Sequence, residues 1–72
     1  MYKVKVYFKC HRWHYFIARD KENAMEIAGR INVEGCWITN SDGTEELFPV
    51  HMIAKIKVIP PDYKELDHEE KG

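Results

Sequence analysis

Tyr2-Lys3-Val4-Lys5-Val6-Tyr7-Phe8-Lys9-Cys10, followed by His11-Arg12 and then by Trp13-His14-Tyr15-Phe16-Ile17-Ala18-Arg19, is the stretch that decides the fold. Val4, Val6, Phe8 and Cys10 alternate with Lys3, Lys5, Tyr7 and Lys9, the period of a strand with one buried and one wet face. The second run is rich in aromatic and β-branched residues, which suit a pleated surface, and so short a link between the two predicts a hairpin. His11-Arg12 lacks the Gly or Asn of a tight two-residue turn, so a four-residue loop is expected. The resulting register sets Lys9 against His14, Phe8 against Tyr15, Tyr7 against Phe16 and Val6 against Ile17. Val4, Val6, Phe8, Trp13, Tyr15 and Ile17 then share the buried face, while Lys3, Lys5, Tyr7, Lys9, His14 and Phe16 face outward.

Working outward, Asp20 has the side chain of a helix N-cap, and Ala24, Ile27, Ala28 and Ile31 follow at i, i+3, i+4 and i+7. Glu22, Asn23, Glu26 and Arg30 fall on the opposite side, and Gly35 is a natural C-terminal stop because it tolerates positive φ. A helix from Asp20 to about Val33 is therefore predicted, packed on Val4, Val6, Phe8, Tyr15 and Ile17. Cys36 to Thr39 and Glu45 to Val50 read as a second hairpin around Asn40-Ser41-Asp42-Gly43, with Trp37 and Phe48 as a cross-strand pair. Pro49 belongs at a strand end, an edge or a bulge, since it cannot donate to a ladder. Met52 to Ile59 supplies a last strand, with Lys55, Lys57 and Ile59 opposed to Ala54, Ile56 and Val58. The expected fold is α+β: one small ββαβββ domain, a mostly antiparallel sheet with one helix packed on one face. The core domain is read as 1–60, with 61–72 an acidic tail in which only Tyr63 and Leu66 are sizeable apolar groups.

Size and composition bound the function. A chain of 72 residues makes one domain that buries about 60% of its unfolded surface, leaving little room for an internal catalytic cavity. With 44% hydrophobic and 32% charged residues it has the composition of a globular protein. Its apolar runs are too short for a membrane span, and the N-terminus alternates charge with hydrophobe, so a cytoplasmic protein with no membrane contact is expected. Two cysteines, Cys10 and Cys36, are too few for a disulfide scaffold and read as reduced thiols, with a bridge between them left open. Up to Pro60 there are nine Lys/Arg against seven Asp/Glu, a balance of +2; from Pro61 there are two against five, a balance of −3.

Several groups were weighed as carriers of chemistry. Cys10, His11, His14, Cys36 and His51 are zinc-type ligands, but their spacing matches neither paired CxxC knuckles nor a finger, so no metal or other cofactor is expected. A cysteine nucleophile would need His51 beside Cys36 or His11 beside Cys10, with an orienting third group and an oxyanion hole that the sequence does not supply. Phosphate-loop, nucleophile-elbow and zincin motifs are absent, and no stretch is specific enough to name a family. The chain is read as a non-enzyme. The sharpest feature is the outward hairpin face, Lys3, Lys5, Tyr7, Lys9, His14 and Phe16, to which Lys55 and Lys57 would add if the last strand lies beside the first. Its first reading is a binding or assembly surface of a homo-oligomeric module, or one contacting another protein, because exposed aromatics rimmed by polar groups suit interfaces. Its second is a single-stranded nucleic-acid interface, lysines on phosphates and rings under bases. Glu65, Asp67, Glu69 and Glu70 of the tail are candidates to screen those lysines.

Overall fold

The computed structural model describes residues 1–63; the tail residues assigned to screening lie outside that range. Strands β1 (Tyr2–Phe8) and β2 (Trp13–Ala18) precede helix α1 (Lys21–Glu34), followed by β3 (Cys36–Thr39), β4 (Glu45–Phe48), a single 3₁₀ turn (Val50–Met52) and β5 (Ile53–Ile59). The architecture is the expected α+β ββαβββ domain with α1 against an antiparallel sheet. The strands divide, however, into a three-stranded sheet ordered β2-β1-β5 and a separate β3-β4 hairpin. β1 is thus the central strand, and β5 lies beside it. No helix among the described residues is long and apolar enough to cross a membrane.

The helix begins where the sequence placed it. Asp20 is extended and its Oδ1 accepts from the Asn23 amide at 2.8 Å, while Asn23 Oδ1 reaches back to the Arg19 amide at 3.1 Å, so two donors at the helix start are satisfied. It ends at Gly35, whose φ of 91° only glycine adopts cheaply and whose amide donates to the Ile31 carbonyl. An added Cβ there would sit 2.9 Å from the Phe48 carbonyl oxygen, so the same glycine lets β4 approach. Ala24 and Ile31 are buried and Ile27 and Ala28 pack beside them, as the i, i+3, i+4, i+7 spacing requires.

Both hairpin loops differ from expectation by an odd number of residues. The Phe8 amide donates to the Arg12 carbonyl at 2.8 Å and the His11 amide to the Phe8 carbonyl at 3.0 Å, giving a three-residue loop with His11 in the left-handed region at φ 70°. Tyr7 therefore faces Trp13, Val6 faces His14 and Val4 faces Phe16. An odd shift moves every β2 side chain to the other face. Phe16, His14 and Ala18 join Val4, Val6 and Phe8 toward α1, while Trp13, Tyr15 and Ile17, expected in the core, lie on the outer face with Lys3, Lys5 and Tyr7. In the second hairpin Cys36 faces Phe48 and Trp37 faces Leu47, so the expected Trp37–Phe48 pair does not form.

The core is built from Val4, Val6, Phe8, Ala18, Ala24, Ile31, Cys36, Ile38 and Phe48, with Phe16, Ile56 and Val58 at its margin. Phe8 and Phe48 stack with centroids 4.0 Å apart and join the second hairpin to the main sheet. Arg12 lies over the same Phe48 ring at 5.2 Å and 3.9 Å from Glu46, an exposed pair worth little by itself.

Candidate functional site

The helix packs on one side of the β2-β1-β5 sheet; on the other, Tyr63 lies against Lys57 and Ile59 is only 5% exposed. That outer face is set by strand parity. β1 contributes Lys3, Lys5 and Tyr7, β2 contributes Trp13, Tyr15 and Ile17, and β5 contributes Lys55, Lys57 and Ile59, because Lys3 pairs with Ile59, Lys5 with Lys57 and Tyr7 with Lys55. None of these three strands contains an Asp or Glu. The acidic residues up to Glu46 belong instead to the helix with its cap and to the second hairpin, and Asp62 follows β5.

Lysines and rings interleave on this face. Lys5 Nζ stands 4.6 Å from the Trp13 ring centroid, 5.0 Å from Tyr7 and 5.3 Å from Tyr15, and the residue is only 1% exposed. Three π faces offset part of the cost of burying an ammonium. Lys3 Nζ lies 5.1 Å over Tyr15, Lys55 Nζ 4.7 Å over Tyr7 and Lys57 Nζ 5.3 Å over Tyr63. Trp13 meets Tyr15 edge-on at 5.1 Å, which holds the indole upright while 51% of the residue stays exposed. The face thus has an ordered aromatic centre, a buried cation under it and exposed lysines at Lys3 and Lys55.

Of the site residues read from the sequence, Lys3, Lys5 and Tyr7 are on this face. Lys9 lies in the loop, exposed, with its amide donating to the Met52 carbonyl at 2.8 Å. His14 and Phe16 are on the opposite, helix-facing side, half-buried and edge-to-face at 4.9 Å; the odd-length loop put them there. Trp13 and Tyr15 are the site residues that sequence reasoning missed, and a three-residue loop would have found them. Lys55 and Lys57 join the face because β5 does lie beside β1.

The other candidate chemistries are not assembled here. Among the described residues no three His, Cys, Asp or Glu side chains cluster as metal ligands, and Cys10 and Cys36 are both free thiols. Cys10 is exposed in the first loop; Cys36 is buried, which pushes its thiol pKa up and away from the reactive thiolate.

Comparison with protein-family models, with curated proteins and with solved structures returns no match to this chain.

Proposed function

We propose that the chain is a small non-catalytic binding protein for single-stranded nucleic acid, using the outer face of the β2-β1-β5 sheet. The observation that carries this reading is the combination of Tyr7, Trp13 and Tyr15 with Lys3, Lys5, Lys55 and Lys57 on strands that hold no acidic residue. Exposed Trp13, backed by half-buried Tyr7 and Tyr15, offers a base a stacking surface, and rim lysines neutralise phosphates and release counterions. A sheet face that exposes Trp13 together with Lys3 and Lys55 suits an extended strand better than a duplex, whose bases are already stacked.

The test is titration of a labelled single-stranded oligothymidylate at low and high salt, in a Trp37→Phe background where Trp13 is the remaining indole. Affinity falling steeply with salt, with quenching of Trp13, is expected. Trp13→Ala should cost about 1–3 kcal/mol of binding, and Lys55→Ala should lower the salt slope by about one. Phe16→Ala, on the other side of the sheet, should leave affinity unchanged in folded protein. Weak binding that ignores salt, or binding indifferent to Trp13, refutes the reading.

Protein assembly through the same face is the second reading. It draws on Trp13 and Ile17, 51% and 59% exposed along β2, and on the stability a short chain gains by association. A two-fold contact would set this cationic face against its own copy, which like charges disfavour. A multimer that native mass spectrometry finds at high salt, and that Ile17→Asp abolishes, would favour assembly over nucleic acid.

A further inference from the structure

The outer edge of β5 has properties that the nucleic-acid reading does not use. In β1 the amide and carbonyl of Phe8 turn toward the β2 side, to Arg12 and His11, whereas the Lys9 amide turns toward Met52 on the β5 side. Antiparallel ladders alternate, so Lys5 and Tyr7 also bond toward β5, and their partners Lys57 and Lys55 bond back. The intervening Ile56 and Val58 therefore point their backbone groups away from the sheet, along an edge that no described strand covers.

Beside that edge runs a groove of about 540 Å³ between β5 and α1, lined by Met25, Ala28, Gly29, Val50, Ile56 and Val58 among others and by no acidic residue. Gly29 is notable in it. A glycine in a helix interior costs about 1 kcal/mol against alanine, and here a Cβ would meet no atom within 4 Å, so nothing inside the fold requires it. Gly29 lines the groove with open space where a side chain would stand. Strand parity puts the side chains of Lys55, a residue that also borders the groove, and Lys57 on the outer face of the same strand.

We infer that β5 accepts an added strand from another protein, an extended segment alternating acidic and apolar residues. Main-chain bonds to Ile56 and Val58 would set its register. Every second side chain would enter the groove beside Gly29, and the others would lie next to Lys55 and Lys57 on the outer face. A second copy of β5 does not meet this requirement: two-fold pairing centred on Ile56 would oppose Lys55 to Lys57.

Fluorescence anisotropy of a labelled Glu-Val-Glu-Val-Glu-Val-Glu peptide, titrated with the full chain, tests this. Saturable binding is expected, at least tenfold weaker with Val58→Pro, which removes an outward amide without a ladder bond, and with Gly29→Glu, which closes and charges the groove at a position with room for a side chain. Oligothymidylate binding should survive Gly29→Glu, which keeps the two surfaces distinguishable. Absence of peptide binding overturns the inference, as does binding unchanged by Gly29→Glu or equal binding of hepta-glutamate, which would assign the peptide to the lysines alone. Should Val58→Pro fail to fold, Gly29→Glu decides.

Discussion

His11 and Gly43 hold the same position in two loops of the same design. In each, the residue before the loop donates its amide four residues ahead (Phe8 to Arg12, Asn40 to Thr44), and the residue three ahead donates back to it (His11 to Phe8, Gly43 to Asn40). His11 has φ 70° and Gly43 φ 89°. One hairpin thus places an imidazole where the other has the residue best suited to the conformation. His11→Gly should raise stability by about 0.5 kcal/mol, the relief of left-handed strain less the added freedom of the unfolded chain. Gly43→Ala, where a Cβ meets open space, should lower it by about 1 kcal/mol through the backbone alone. Urea unfolding of the two variants checks both signs.

Gly29 and Gly35 make a second contrast. Gly29→Ala should stabilise by about 1 kcal/mol, since the helix gains and nothing is displaced. Gly35→Ala combines φ 91° with a 2.9 Å approach to the Phe48 carbonyl and should cost upwards of about 2 kcal/mol. Thermal melts should move in opposite directions, the first by several degrees upward.

The two thiols should react at different rates. Cys10 is exposed and Cys36 is buried with a raised pKa. An aromatic disulfide reagent at neutral pH should label Cys10 quickly in the native protein and Cys36 only on unfolding, giving one rapid equivalent and then a second in denaturant. Rapid labelling of both would contradict the packing of Cys36 in the core.

Asp42 gives the second hairpin a pH dependence. Its Oδ1 accepts from the Thr44 hydroxyl at 2.6 Å and the Thr44 amide at 3.0 Å, and these bonds hold its carboxyl below the ordinary value of 3.8. A depressed folded-state pKa means the contribution is complete above 3.8 and lost as pH falls through the lower folded value. Protection of the Thr44 amide against hydrogen exchange should therefore drop on acidification below that value. Asp42→Asn should weaken protection at neutral pH and flatten its acid dependence.

The helix, its Asp20 cap, its Gly35 stop and the strict alternation of β1 were legible because each carries a local signature: spacing, a capping oxygen, a tolerance for positive φ, lysine against valine. The face of β2 was not. Trp13, His14, Tyr15, Phe16 and Ile17 are large on both sides, so hydrophobicity cannot orient them, and the loop that does so uses His11 in place of the glycine that would announce it. The same loop geometry displaced the Trp37–Phe48 pairing in the second hairpin, where Asp42-Gly43 signals a turn without giving its length. The adjacency of β1 and β5 joins residues about 50 positions apart, such as Lys5 and Lys57, and no local pattern specifies it. Half of the candidate site depended on that adjacency and on the loop, which is why Lys3, Lys5 and Tyr7 were found while Trp13 and Tyr15 were not.

The confinement of acidic side chains to the helix, the second hairpin and the chain beyond β5 has an effect at a distance. Among the described residues, Lys3, Lys5, Lys55 and Lys57 stand on strands of the main sheet while carboxylates stand on the helix with its cap, on the second hairpin and at Asp62, so these lysines and the carboxylates are separated in space. A polyanion such as the proposed partner would feel that separation only within about 8–10 Å at physiological salt, and would favour approach to the lysine-bearing strands. On the nucleic-acid proposal, the binding orientation would be selected during approach.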